Sequence, residues 1–292
     1  MEKIGFVTEE TADLPPDIIE RNQIAIVPVK LDWPEIENLP GENTFQKMRE
    51  LEKKGITSFG KTSQPSPKEY LEKYKQMLER FNKVICISLT SKHSGCHNSA
   101  IQARNFLEPE LKEKVFVIDS LNGSAGQALL ILKALDLAKE GKEAEEIVKE
   151  IEEIRPQIHL YGIIEDPKWL EASGRISHLV ANLLRKMMKA GILPMLFFKN
   201  GKLTPSIIRT KAKDKPSVIL EKFSADIKKF NKESSKIRAV ITHGDTPKEA
   251  QRLKEIVEKE FKNVEIVFLN IINNVVGSPT GPGILVFSWC EI

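Results

Sequence analysis

The stretch Val84-Ile85-Cys86-Ile87-Ser88-Leu89-Thr90-Ser91-Lys92-His93-Ser94-Gly95 decides the reading of the fold. Val84–Ser88 is a short, continuous, β-branched apolar run without the alternation of a half-wet strand. Runs of that kind suit strands covered on both faces, as in a parallel sheet. A hydroxyl-rich loop follows, and the spacing then predicts a helix over Asn98–Leu107. Working outward, Ile4–Val7, Ile24–Leu31 and Val115–Ile118 read as further strands of the same kind. Phe45–Lys54 reads as a helix ending at Gly55, a residue suited to the position after a helix. Ser66-Pro67-Lys68-Glu69 is a capping box with proline at the first helical position, and Ser124–Lys139 is a long helix. This half is therefore expected to be α/β, a doubly wound and mainly parallel sheet.

Past a charged amphipathic helix at Glu143–Glu153 the pattern changes. Strands are expected at Ile158–Ile164, Ile192–Phe198, Ile237–Thr242, Val264–Leu269 and Ile284–Ser288. A short helix opens at Asp166-Pro167, and longer ones fit Ser177–Ala190 and Lys215–Phe230. Thr246-Pro247-Lys248-Glu249 starts a capped helix running to about Phe261. Lys199-Asn200-Gly201-Lys202 has the composition of a tight hairpin turn. This half should be α/β with a mixed sheet. The boundary is placed at Arg155-Pro156, giving domains 1–155 and 156–292.

Two domains also suit the length of 292 residues, which is ample for a hydrophobic core without metal or disulfide staples. A composition 41% hydrophobic and 29% charged excludes long disorder, collagen and coiled-coil arrays. Lys plus Arg is 44 and Asp plus Glu is 41, so the net charge is 44 − 41 = +3. That falls short of the bias of a dedicated nucleic-acid binder. Twelve Lys/Arg do cluster between Lys199 and Arg238 against four acids, which reads as a solvated face or as a surface for an anionic partner. Cys86, Cys96 and Cys290 fit neither a disulfide framework nor a zinc pattern. The first ten residues lack the apolar core of a signal peptide, and no apolar run reaches membrane-spanning length. The expectation is a cytoplasmic protein without stable membrane insertion.

The nucleotide, zincin and hydrolase signatures G-x-G-x-x-G, G-x-x-x-x-G-K-[ST], H-E-x-x-H and G-x-S-x-G are absent. What remains is a set of polar loops beside strand ends or helix starts: Lys61–Pro67, Ser88–Gly95, Asp119–Ser124 and Gly277–Gly283. In open α/β sheets ligands sit beyond the carboxyl ends of the strands. Hydroxyls and helix N-terminal N–H groups there accept anionic oxygens. Singly, each loop also reads as an ordinary cap or turn; together they make an anion cradle. His93 and His97 flank Cys96, but no third ligand is evident and no metal or cofactor is expected. Ser94 with a remote histidine would be a hydrolytic pair. Gly174 allows a tight turn beside Arg175, which is placed either to meet an anion or partner or simply to end a helix. Ile163, Ile164, Leu193, Met195 and Phe197 lie on interior strands, as core or as lining for an apolar ligand.

In this order the loops resemble those of the DegV family of bacterial fatty-acid-binding proteins, over nearly the whole chain. Thr8, Thr11-Ala12-Asp13-Leu14-Pro15 is similar to T-D-S-x-x-D-L-P, and Thr62-Ser63-Gln64-Pro65-Ser66-Pro67 to T-S-Q-P-S-P. Ser94-Gly95 with Ser99-Ala100 resembles S-G-x-x-x-S-A. Val117-Ile118-Asp119-Ser120 is similar to V-I-D-S, Gly174-Arg175-Ile176 to the end of G-G-R-I, and Thr280-Gly281-Pro282-Gly283 to T-G-P-G. The resemblance implies a non-enzymatic lipid carrier with one long-chain fatty acid between two α/β domains. It implies that Thr62 and Ser94 hydrogen-bond the carboxylate, with Ser63, Gly95, Thr280 and Gly281 close by. It also implies a fatty-acid kinase as partner, met by Arg175. Three departures stand out: Pro279 replaces the usual histidine of H-T-G-P-G, Glu9-Glu10 replaces Asp-Ser, and Ser173 replaces the first glycine of G-G-R-I. Pro279 offers neither a side-chain donor nor an N–H, so anion binding should be weaker or rearranged. An enzyme or binder acting on a small carboxylate or phosphate at the same loops is the alternative.

Overall fold

A computed structural model describes residues 2–206 and 212–292. The strands are β1 (Ile4–Glu9), β2 (Ala25–Val27), β3 (Lys30–Asp32), β4 (Lys61–Ser63), β5 (Lys83–Ser88) and β6 (Val115–Asp119). They continue with β7 (His159–Ile163), β8 (Met195–Lys199), β9 (Lys202–Ser206), β10 (Ile237–His243), β11 (Val264–Ile271) and β12 (Leu285–Glu291). The chain divides into two compact units. The first holds Met1–Lys30, Thr62–Ile158 and Asn200–Lys202; the second holds Leu31–Lys61, His159–Lys199 and Leu203–Ile292. Residues 31–61 thus group with the C-terminal half, which a single cut at Arg155-Pro156 does not provide for.

In the first unit the sheet order is β2-β1-β5-β6, and every neighbouring pair is parallel. All six residues of β1 are buried, as a strand covered on both faces requires. Val84 and Cys86 turn to one face and pack with Tyr70 and Tyr74 of helix Pro67–Leu78 and with Ala100 and Ala103 of helix Cys96–Asn105. Ile85 and Ile87 alternate to the opposite face. Helices Ser124–Lys139 and Ala144–Ile154 contact each other and β5. Helix Pro67–Leu78 starts where the capping box predicts: Ser66 Oγ accepts from Glu69 N at 3.4 Å, and Glu69 Oε2 accepts from Ser66 N at 2.6 Å. The doubly wound parallel reading holds.

The second unit contains a six-stranded sheet of order β11-β10-β12-β7-β8-β9. It is mixed, as expected: β10 is parallel to β11, whereas β12 runs antiparallel to both β10 and β7. Phe223, Phe287, Trp289 and Tyr161 fill its core, and Ile163, Met195, Leu193 and Phe197 belong to that core or pack on it. The Tyr161 hydroxyl accepts from Trp289 Nε1 at 2.8 Å and donates to Asp226 Oδ2 at 2.6 Å, so these two buried groups are satisfied. His159 stacks between Phe230 and Trp289, with ring centroids 5.1 and 4.2 Å away.

Some local expectations are corrected. Ile24–Leu31 is not one strand: β2 ends at Val27 and β3 begins at Lys30, with Pro28 between them, which cannot donate to a ladder. The Gly277–Gly283 stretch is not a loop throughout, because Asn274–Thr280 is a helix with Pro279 inside it. Thr246 does not cap its helix by accepting a backbone bond; its hydroxyl donates to Glu249 Oε2 at 2.8 Å. In the basic run, residues 207–211 lie outside the described residues. Lys215 pairs with Glu249, Lys222 with Asp226, Lys232 with Glu291 and Arg238 with Glu265. Four of the twelve basic residues are thereby paired. Among the described residues no helix is long and apolar enough to cross a membrane.

Candidate functional site

Two of the hydroxyl-rich loops meet within the first unit. Thr62 and Ser63 end β4, Thr62 half-buried and Ser63 exposed. Ser94 and Gly95 close the loop after β5 and lead into helix Cys96–Asn105. The link between them is Gln64: a Cβ built on Gly95 would lie 2.8 Å from Gln64 Cδ and 2.9 Å from Nε2. Glycine at position 95 therefore leaves room for the Gln64 side chain to pack against the start of helix Cys96–Asn105. Ser94 Oγ accepts from Cys96 N at 3.2 Å and donates to Cys96 Sγ at 3.0 Å. Its partners are thus at the helix start and not a histidine. A serine–histidine pair in this unit is instead Ser88 Oγ with His97 Nδ1, 2.9 Å apart. The Ser88 hydroxyl is fully buried and also reaches Ile118 O at 3.2 Å, a geometry for fastening strands and not for attacking a substrate.

The fourth loop, Asp119–Ser124, is filled by the protein's own carboxylates. Ser124 Oγ, at the start of helix Ser124–Lys139, donates to Asp13 Oδ2, and Asp119 Oδ1 accepts from Leu121 N at 2.9 Å and Ser91 N at 3.2 Å. A carboxylate at a helix N-terminus supplies the charge that an anionic ligand otherwise would.

Beneath the first two loops lies a polar cluster the sequence reading missed. Glu9, at the end of β1, is fully buried, as are Gln127, Thr8 and Tyr70. Its carboxyl accepts from Leu89 N at 2.9 Å, from Gln127 Nε2 at 2.9 Å and from the Tyr70 hydroxyl. Burial pushes this carboxyl above its usual range, more than the donors pull it down. The only signal in the sequence was an acidic pair, Glu9-Glu10, at the end of an apolar strand.

The other expected residues lie in the second unit. Thr280 ends helix Asn274–Thr280 with its hydroxyl donating to Val276 O at 2.7 Å. Gly281 follows with φ +82, and an added Cβ there would fall inside the Trp169 indole. Pro279 is buried. His243, which is not among the expected residues, ends β10, where its Nδ1 accepts from Thr246 N at 3.2 Å, and burial lowers its pKa. Arg175 is half-buried after helix Lys168–Ala172, its Nη1 3.5 Å from Ser173 O, and burial draws its guanidinium below the usual value. Among the described residues no group of three or more His, Cys, Asp and Glu is placed to hold a metal ion.

A unit built on a four-stranded parallel sheet, joined in one chain to a unit with a six-stranded mixed sheet, defines a two-unit α/β class of protein. The chain belongs to the DegV family: the model described as "Uncharacterised protein, DegV family" matches residues 3–291. A DegV domain-containing protein of Clostridium acetobutylicum is 36% identical over 214 residues, covering 70% of this chain and 71% of that one. Among solved structures, a DegV family protein from Thermus thermophilus, described by its fatty acid binding, has a TM-score of 0.79 at 26% identity over 99% of this chain and 100% of its own. DegV from Bacillus subtilis, described as a fatty acid binding protein, has a TM-score of 0.79 at 25% identity over 100% of each chain.

Proposed function

We propose that this protein is a carrier of a long-chain fatty acid, its carboxylate received by Thr62, Ser63, Ser94 and Gly95. The observation that carries the reading is the convergence of two hydroxyl loops in one unit, with Gln64 on Gly95 beside the start of a ten-residue helix. The positive end of that helix favours an anion. The likeness to two DegV structures described as fatty-acid binding supports the choice of anion.

The energetics favour a lipid. Each buried methylene contributes about 0.8 kcal/mol, so a tail of roughly 14 to 16 carbons offers on the order of 10 kcal/mol, against binding costs of several kcal/mol. Losing the donor that a histidine at position 279 would bring removes about 1.5 to 3 kcal/mol. Binding then weakens but persists. The finer reading adds presentation of the bound acid to a fatty-acid kinase, with Arg175 as the contact.

Native mass spectrometry of the purified protein, followed by organic extraction, tests the proposal. One fatty acid per chain is the expected result. A protein that carries none and takes up none when it is added would overturn the reading in favour of a small carboxylate or phosphate ligand. For the finer reading, a fatty-acid kinase with ATP should form acyl phosphate from the bound acid, and Arg175→Ala should slow it. No turnover with any such kinase rejects the partnership.

A further inference from the structure

The buried Glu9 cluster touches the two elements that carry the proposed carboxylate site. Leu89, whose N–H the Glu9 carboxyl accepts at 2.9 Å, opens the loop that ends in Ser94 and Gly95. Tyr70, whose hydroxyl donates to Glu9, sits in the first turns of helix Pro67–Leu78. That helix is anchored by the Ser66–Glu69 box immediately after Thr62-Ser63-Gln64. Tyr70 and Cys96 belong to one packed core cluster, and Cys96 Sγ accepts from Ser94 Oγ at 3.0 Å. A line of bonded and packed groups therefore runs from Glu9 through Tyr70 and Cys96 to the Ser94 hydroxyl. Gln127 closes the cluster from helix Ser124–Lys139, with Nε2 reaching Glu9 Oε2 at 2.9 Å, Thr8 Oγ1 at 3.0 Å and Ile87 O at 3.2 Å. A buried carboxyl among neutral partners is costly to keep. Two of its donors, the Leu89 N–H and the Tyr70 hydroxyl, belong to elements framing the loops, while Gln127 and Thr11 donate from outside them.

We infer that Glu9 is a positioning residue for fatty-acid carboxylate recognition, acting through Leu89, Tyr70 and Cys96 to hold the 88–95 loop and the Ser94 hydroxyl in place. The inference rests on the proposed function. It predicts that Glu9 governs the preference for a carboxylate headgroup and leaves affinity for the acyl tail alone.

The experiment measures dissociation constants for palmitate and for hexadecanol, the same tail without the carboxylate, in the intact protein and in Glu9→Gln, Tyr70→Phe, Ser94→Ala and Glu9→Gln/Ser94→Ala. Melting temperatures are recorded alongside. Glu9→Gln and Tyr70→Phe should each reduce the acid-over-alcohol preference about tenfold, the worth of one hydrogen bond to a charged group. Alcohol affinity should stay nearly unchanged, and the double variant should lose little more than Ser94→Ala. Tyr70→Phe keeps the packing volume and so carries the test if Glu9→Gln does not fold. If both folded variants keep the unaltered preference while Ser94→Ala loses it, the inference is overturned and the cluster is structural. A lower melting temperature with both ligands weakened equally has the same meaning. If instead the unaltered protein shows no preference for the acid, or Ser94→Ala retains all of it, the proposed site itself fails, a pattern distinct from the first.

Discussion

At Thr62 and Ser94 single hydroxyls are assigned the ligand. Thr62→Val and Ser94→Ala should each weaken fatty-acid binding roughly tenfold by titration calorimetry, since each removes one bond to a charged group; unchanged affinity in both would defeat the assignment. Pro279→His adds a donor and should tighten binding or restore coupling to a kinase, and no gain in either assay counts against the resemblance at that position. Gly281 is constrained for a different reason: it combines φ +82 with an indole where a side chain would go. Gly281→Ala should cost about 2 to 4 kcal/mol in denaturant unfolding, from positive-φ strain plus overpacking. His159 sets a pH dependence. Burial between rings lowers its pKa from 6.5 to about 4, so between those values the unfolded chain binds more protons than the folded one. Its contribution is complete above the unfolded value and is lost as pH falls through this window. Replacing it by Phe should flatten the fall in unfolding midpoint over that acid range; an identical pH profile would reject the assignment.

Helix Pro67–Leu78 shows how far local chemistry reaches at the level of an element. Its start is written in Ser66-Pro67-Lys68-Glu69, and both bonds of the box form. Ser66→Ala should cost about 1 kcal/mol of stability, read as a lower unfolding midpoint with the same denaturant slope. Helix Asn274–Thr280 was not legible, because Gly, Ser, Pro and Thr read as turn chemistry. It forms because Asn273 Oδ1 accepts from Val275 N at 2.8 Å and Val276 N at 3.1 Å. Phe45, from a segment more than two hundred residues earlier in the chain, then packs on Gly277. A helix held by a distant ring has no signature in its own seven residues.

For the whole molecule, ligand binding and stability are linked. Fatty acid at a hundredfold excess over its dissociation constant should stabilise the folded chain by about 2.7 kcal/mol, seen as a rise in melting temperature. In the proposed reading most of that affinity comes from apolar burial, so it should change little with salt, whereas a nucleic-acid or polyanion binder would lose affinity steeply. A steep salt dependence would move the basic run from Lys199 to Arg238 to the front.

By itself the sequence determined the parallel sheet of the first unit, the mixed sheet of the second, most helix starts, and which loops hold the hydroxyls. These follow from properties a residue shares with near neighbours: apolar runs, caps and turn residues. Only tertiary structure decided that residues 31–61 join the second unit, that Gln64 lies on Gly95, that Asp13 occupies the start of helix Ser124–Lys139, and that Glu9 is buried beneath the 88–95 loop. Each is a pairing across many residues, Glu9 with Leu89 being 80 apart. Local propensity says that a buried acceptor must find donors, but the register of distant elements selects which donors reach it.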